Sequence, residues 1–337
     1  MSDRRSESPA VSRIPPGTQA DIDAHQGWAL VCHDPAGGPD VSPGRGGAPL
    51  DLLFVHGMAA GGWIWPAAWL DGFTRQGHRC WTLTLPGRAG GRSVTRDPSV
   101  LERAIGHALN TGDLDGASAM LVRALPGASL FDGPTLDDFA DAVQQAMARI
   151  GHPVVVVGHS LGGAVAQLLL RRGVAQAGTV LLASVPPYGT WRASAEMAVT
   201  NPALWHALSQ FALHGAARAD MALMRRALFP NGISDRDFEA LMAGMHDESL
   251  AATVRTAGLP PFAPLPGPRG DVLVVGGGAD LLVPPADAWM TAAYYGGAPL
   301  MVPRAGHMIM HDPHADAAVT GILRWCAARA GRGARAA

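Results

Sequence analysis

The 337-residue chain contains no lysine. Its basic residues are arginine and histidine alone, so any mechanism that needs a catalytic lysine is excluded. Cysteine is scarce as well. Cys32, Cys80 and Cys326 are widely spaced and odd in number, which fits neither a disulfide framework nor a metal-ligand pattern, and no metal site is expected. No apolar stretch approaches the length of a membrane span. No apolar run follows the charged first residues, so no secretory signal is read, and a reducing cytoplasm is the expected compartment. The formal net charge is only −2, which offers no electrostatic case for nucleic acid or an anionic membrane. Charged residues make up 16% and hydrophobic residues 48%, enough to bury a sizeable core. The length suits one large α/β domain or two small ones.

What the chain does have is centred on Pro153–Gly163, Pro-Val-Val-Val-Val-Gly-His-Ser-Leu-Gly-Gly. A short β-branched run opened by proline and closed by glycine reads as a buried strand. Gly158-His159-Ser160-Leu161-Gly162 then fits G-x-S-x-G, a sharp turn from strand into helix that leaves the serine hydroxyl exposed. The segment from Gly163 to Arg172 reads as the helix, whose N-terminus directs free N–H groups and a partial positive charge at the space beside Ser160.

In chain order, residues 1–24 are Ser/Pro/Arg-rich and are expected to be disordered. Strands are expected at Gly27–His33, Leu50–Val55 and Gly77–Leu85, with a helix over Ile64–Gln76; this βαβ spacing predicts a largely parallel sheet. One or two surface helices are read between Pro98 and Leu125. Thr135–Ile150 reads as a helix capped by Thr135, with Asp137 and Asp138 at the positive end of its dipole. A strand follows at Gly178–Ala183. From Ser184 to Leu265 the alternation stops and the composition is helical, with Trp191, Trp205, Phe211, Phe229 and Met197, Met221, Met224, Met242 and Met245. Most of these side chains are expected to pack this segment onto the core, and a minority to face a pocket. Strands resume at Asp271–Val275 and Pro299–Val302, with helices over about Ala286–Tyr295 and Ala315–Ala330 and a frayed tail at 331–337. The domain reading is a core of 25–185 and 266–330, interrupted by a helical cap at 186–265.

In an open parallel sheet, ligands bind beyond the carboxyl ends of the strands. His56-Gly57-Met58, Ser160, Asp280 and His307 all fall at such ends, and the chain order is serine, acid, histidine. With the segments HGMAAGGW, LPGR, GHSLGG, GGGADLLVPP and AGHMIM, the chain from about Gly27 to Ala328 resembles the α/β-hydrolase superfamily, a mostly parallel sheet flanked by helices with an inserted helical cap. The resemblance implies Ser160 as nucleophile, His307 as base and Asp280 as the acid that fixes the imidazole tautomer. It also implies backbone N–H groups of Met58 and Leu161 as the oxyanion hole. His56, Gly57, Trp63, His159 and Trp191 are the candidate substrate-binding residues, with His56 read as a brace for the oxyanion loop, His159 as packing beside the elbow, and Trp63 and Trp65 as either pocket lining or helix packing. His311 is a rival base, one helical turn beyond His307. Asp271 lies at the wrong end of its strand to be the acid, Asp287 reads as a helix-surface residue, and the position after the sixth strand offers Ser184 and no carboxylate.

The function this implies is a cofactor-free serine hydrolase acting on a carboxylic ester, thioester or lactone of a small apolar acyl or aromatic substrate. Gly276-Gly-Gly-Ala-Asp280 lacks the G-x-G-x-x-G spacing, so no nicotinamide cofactor is expected. Ser160 argues against epoxide hydrolases and haloalkane dehalogenases, which use an aspartate nucleophile, and the lack of lysine against the plant type of hydroxynitrile lyase. A carbon–carbon bond hydrolase, a cofactor-free haloperoxidase, or a non-catalytic binding protein on the same fold remain alternatives. Oligomeric state is left open.

Overall fold

The computed structural model describes residues 19–23, 27–35, 49–87, 133–214, 219–245, 248–258 and 271–336, with a few isolated positions besides. Its centre is an eight-stranded sheet: β1 (Gln19–Asp23), β2 (Trp28–His33), β3 (Asp51–Val55), β4 (Arg79–Thr84), β5 (Val155–His159), β6 (Gly178–Leu182), β7 (Val272–Gly277) and β8 (Leu300–Val302). The spatial order is β1-β2-β4-β3-β5-β6-β7-β8. β2 runs antiparallel to β1 and β4, and the strands from β3 to β8 pair in parallel, with Phe54 opposite Val157 and Val157 opposite Val180.

The valine run explains itself in this sheet. Side chains alternate between the faces of a strand. Val155 and Val157 enter one apolar core and Val154 and Val156 the other, as Leu52 and Phe54 alternate with Leu53 and Val55 on β3. A parallel strand covered on both faces needs apolar residues at every position, hence a continuous run in place of an alternating one. On the first face lie α1 (Ala67–Thr74) and the last helix, α10 (Ala315–Ala336), through Trp69, Phe73, Val319 and Ile322. On the second lie α2 (Leu136–Ile150), α3 (Leu161–Arg171) and α9 (Pro285–Tyr294), through Phe139, Val143, Val165 and Ala292.

α2 begins where its sequence indicates: the Thr135 hydroxyl accepts from the Asp138 N–H at 3.1 Å, and the Asp138 carboxylate accepts from the Thr135 N–H at 2.7 Å, a reciprocal cap. Among the described residues between β6 and β7 lie five helices, α4 (Trp191–Thr200), α5 (Pro202–His214), α6 (Met221–Leu228), α7 (Asp235–Gly244) and α8 (Leu250–Ala257). No strand occurs among the described residues of that insertion.

Three expectations change. Gln19–Asp23, inside the stretch read as a disordered tail, pairs antiparallel with β2 as an edge strand; its five residues mix polar and apolar types too briefly to give a periodic signal. The helix expected over Ile64–Gln76 is a 3₁₀ turn at Gly62–Ile64 followed by α1, separated by Pro66, which lacks an N–H and so opens a helix more readily than it continues one. The expected tail at 331–337 continues α10 to Ala336. The helices read between Pro98 and Leu125 fall almost wholly outside the described residues.

Phe54 is fully buried at the middle of β3, with its ring 5.0 Å from Trp65 and 5.5 Å from Phe73. Phe54→Ala is expected to cost about 3–5 kcal/mol of unfolding free energy, the usual penalty for an aromatic cavity in a packed core, measured by urea denaturation. A loss under about 1 kcal/mol would mean that this part of the core collapses around the gap.

Candidate active site

Ser160 stands between β5 and α3 with φ 52° and ψ −115°, a backbone geometry rare for a residue with a side chain. Such a conformation costs on the order of 1–3 kcal/mol and persists only when its surroundings enforce it. Here they do. The Ser160 N–H donates to the Leu182 carbonyl at 3.1 Å, and the Ser160 carbonyl accepts from Gly163 at 3.0 Å and Val185 at 3.1 Å. The turn also demands empty space, since a Cβ on Gly158 would overlap the Gly162 carbonyl, and one on Gly162 would overlap the carbonyls of Val55 and His56.

Asp280 follows β7 and is buried. Its Oδ1 accepts from the N–H groups of Leu282 at 2.8 Å and Val283 at 2.9 Å, which fixes the carboxylate plane. Its Oδ2 lies 2.9 Å from His307 Nδ1, in the loop after β8. A carboxylate only accepts, so Nδ1 carries the proton and Nε2 is left with its lone pair. His307 and Ser160 line the same cavity, of about 340 Å³. The structure thus brings the expected serine, acid and histidine to one end of the sheet, with the acid and histidine in direct contact.

Met58 and Leu161, the expected oxyanion donors, line this cavity as well, beside Gly57. Leu161 is the first residue of α3, and the N–H groups of a first helical turn have no partner within the helix. A Cβ on Gly57 would lie 3.0 Å from both His159 Nδ1 and Ser160 Cβ, a tight contact that glycine avoids where this loop approaches the elbow.

The other expected residues separate. His56 is buried and faces the loop rather than the cavity: its Nε2 accepts from the Leu85 N–H at 3.0 Å, so its Nδ1 is the donor to the Gly57 carbonyl at 2.8 Å. His159 lines the cavity and donates from Nε2 to the His307 carbonyl at 3.1 Å; its buried Nδ1 has no hydrogen-bond partner among the described residues. Burial, then the adjacent His307 ring, holds His159 well below the usual imidazole pKa, so it is neutral. Trp63 packs against Gly244 of α7, and Trp65 stacks on Trp69 in the core; neither is among the lining residues. Trp191 is 48% exposed and also lies outside the lining.

The rivals are accounted for. His311 donates from Nε2 to the Ile64 carbonyl at 2.7 Å and is held in the core beside Phe229. Asp271 is 57% exposed and pairs with Arg329 at 2.5 Å. Asp287, expected on a helix surface, is instead 1% exposed; its Oδ1 accepts from Tyr188 and from Arg192, both at 2.5 Å. That cluster fastens the insertion to α9, and a sequence separation of about 95 residues gave no sign of it.

The cavity walls are a second departure. Met197, Met221, Met224, Met242 and Met245 all line it, with Trp205 and Phe211, so the majority and not the minority of the singled-out insertion side chains face the pocket. Met58 and Met308 join them, which places seven of the chain's thirteen methionines on one surface. The density of methionine in the insertion was the available signal. Thioether side chains are flexible and polarisable, suited to a wall that conforms to an apolar guest. Among the described residues, no aspartate, glutamate or arginine lines the cavity. Among the described residues, no group of three or more His, Cys, Asp and Glu is placed to hold a metal ion, and no helix is long and apolar enough to cross a membrane.

A family model described as "Alpha/beta hydrolase family" matches residues 52–319. Among solved structures, the fold is similar to that of a thermophilic esterase from Thermogutta terrifontis, at 18% identity and TM-score 0.57 over 88% of this chain and 93% of that one. It is similar also to a mutant N-acyl homoserine lactonase complexed with N-hexanoyl homoserine, at 16% identity and TM-score 0.59 over 92% and 97%. A third is MenH from S. aureus, at 14% identity and TM-score 0.57 over 89% and 98%. At these identities the likeness establishes the fold alone. No curated protein matches the chain.

The neutral His159 ring has a consequence for stability. Its folded pKa is depressed, so below the ordinary value of 6.5 the unfolded chain takes up a proton that the folded chain refuses. Stability therefore falls as the pH drops from about 6.5 toward the lowered folded pKa. His159→Gln, whose amide can still donate to the His307 carbonyl, is expected to make the acid limb of the stability profile shallower between about pH 6.5 and 5, by urea unfolding. His33, His78 and His311, lowered chiefly by burial, supply the slope that remains. An identical slope in the variant would mean that His159 titrates alike in both states.

Proposed function

Because the chain belongs to the alpha/beta hydrolase family, we propose that it is a cofactor-free serine hydrolase that cleaves a carboxylic ester, thioester or lactone through an acyl-enzyme on Ser160. The observation that carries this reading is the Asp280–His307 pair, 2.9 Å apart, with His307 lining the same cavity as a strained Ser160.

A serine hydroxyl is a weak nucleophile near neutrality and needs a base. His307 Nε2, free because Asp280 engages Nδ1, takes the Ser160 proton as Oγ bonds to the carbonyl carbon. The carbonyl π pair moves onto oxygen, where the N–H groups of Met58 and Leu161 receive it. Asp280 stabilises the imidazolium. Collapse breaks the bond to the leaving group, which departs with the proton from His307. Water then repeats the sequence: His307 takes its proton as the hydroxide oxygen bonds to the acyl carbon, and the Ser160 ester bond breaks to release the acid while His307 returns the proton to Oγ. No step needs a lysine, which this chain does not possess.

The substrate class follows from the walls. Burying a charge without a partner is costly, and a lining of methionine, leucine, phenylalanine and tryptophan with no charged side chain favours a neutral substrate with an apolar acyl or aromatic group. The described residues of the insertion at 186–265 act as a cap over the site, since more than half of the lining comes from them.

Ser160→Ala is expected to abolish turnover of p-nitrophenyl butyrate and labelling by a fluorophosphonate probe without changing the melting temperature. Activity surviving within about tenfold of wild type would end this reading. Asp280→Asn is expected to lower kcat about a thousandfold or more, because it favours the wrong imidazole tautomer. Asp287→Asn, which loosens the insertion instead, should leave kcat within a few-fold while lowering the melting temperature. Equal losses of kcat in the two variants would mean that Asp280 is not the acid.

A further inference from the structure

Glu248 lies just ahead of α8, in the insertion, and its side chain is buried. Its Oε2 accepts from the Ala59 N–H at 2.9 Å, and its Oε1 from the Ser249 N–H at 2.8 Å. The two donors belong to different parts of the fold. Ser249 is the N-cap of α8, its hydroxyl accepting from Ala252, while Ala59 follows Met58 in the loop after β3. One carboxylate therefore ties the insertion to the loop that carries the proposed oxyanion donor, across 189 residues of sequence.

Ala59 has φ 58°, in the left-handed region that residues with a Cβ seldom enter. Glycine would take up that conformation without strain, so an alanine there must be constrained from outside. The Glu248 contact supplies a constraint at the right atom. Fixing the direction of the Ala59 N–H fixes the plane of the Met58–Ala59 peptide, and with it the torsions on either side of it. The Met58 N–H lies one peptide away, so its aim depends on that plane staying put. A misplacement of about 1 Å in such a donor is worth roughly a hundredfold in rate.

We infer that Glu248 is a positioning residue: it orients the Met58 N–H through Ala59, and so makes a competent oxyanion hole conditional on the insertion being seated over the core. The inference rests on the proposed hydrolase reading. Glu248 touches no reacting atom; it acts through the loop.

The test is Glu248→Gln in the full-length protein. Glutamine keeps the shape but has one carbonyl oxygen in place of two acceptors, and its NH₂ meets an N–H at Ala59 or Ser249. With p-nitrophenyl butyrate the expected result is kcat lowered about tenfold to a hundredfold with KM within about threefold. Inhibition by a butyl boronic acid, whose tetrahedral adduct occupies the oxyanion position, should weaken in proportion to kcat. A role confined to holding the insertion in place predicts a raised KM with unchanged kcat, and that result would overturn the inference, as would kcat within twofold of wild type. Should the variant fail to fold, amide hydrogen exchange in the wild-type protein decides: Ala59 is expected to exchange far more slowly than an open loop amide, and exchange at the unprotected rate would overturn the inference. A wild type that neither turns over the ester nor labels at Ser160 removes the hydrolase reading itself, whereas an active wild type with an unimpaired Glu248→Gln removes this inference alone.

Discussion

At Ser160 the backbone adopts a torsion that it would leave if any of its surroundings relaxed. Four hydrogen bonds grip the residue: its N–H donates to β6, and its carbonyl accepts two from the first turn of α3 and one from the segment after β6. Glycines at 57, 158 and 162 clear the volume the turn needs. The rest of the architecture serves this arrangement. The parallel strands deliver β3, β5, β7 and β8 to one edge, so that residues far apart in sequence emerge side by side. The two-faced core makes that edge rigid, because every valine of β5 packs against a helix layer above or below. A strained serine on a loose sheet would relax; on this one the strain stays where it is put.

The insertion is fastened to the core by buried polar contacts. Asp287 receives Tyr188 and Arg192, and Glu248 receives Ala59. Buried ionised groups contribute little net stability compared with apolar packing, but they define register sharply, because a misplaced partner leaves a charge unpaired. A wall of flexible methionines needs such fixed points. Met side chains adapt to a guest and specify little by themselves, so the geometry of the cavity is set by a few carboxylates while its shape is left compliant.

How far the sequence carries this can be judged residue by residue. The sheet was readable because burial on both faces forces unbroken apolar runs such as Val154–Val157, and the elbow because only glycine tolerates the approaches at 158 and 162. That Ser160, Asp280 and His307 come to one end of the sheet was readable from their places after strands. What was not readable depends on partners distant in sequence. Asp287 looks like the exposed acid of a first helical turn, and only the fold brings Arg192 onto it. Glu248 sits in a segment with no periodicity, and its partner is a backbone amide, which no sequence pattern marks. The methionines gave their number but not their direction, since a helix with apolar side chains around most of its circumference does not reveal which stripe faces a cavity. The edge strand β1 is hidden by its brevity, and the break at Pro66 is masked by the apolar pattern on either side of it.

The electrostatics of the site follow from the same separation of fixed polar points and apolar wall. Among the described residues no aspartate, glutamate or arginine lines the cavity, and His159, whose ring lies 4.9 Å from that of His307, is kept neutral by its burial. In so apolar a setting a dipole or charge acts with little screening. The Asp280 carboxylate, already oriented by two backbone N–H groups, is then the dominant fixed influence on the His307 ring. An imidazolium formed there during the proposed reaction would be stabilised by Asp280 and would meet no competing anion, while a positive charge on His159 would oppose it across a ring separation of 4.9 Å. Keeping His159 neutral is therefore part of the same design as placing Asp280: the first removes a repulsion that the second would otherwise have to overcome.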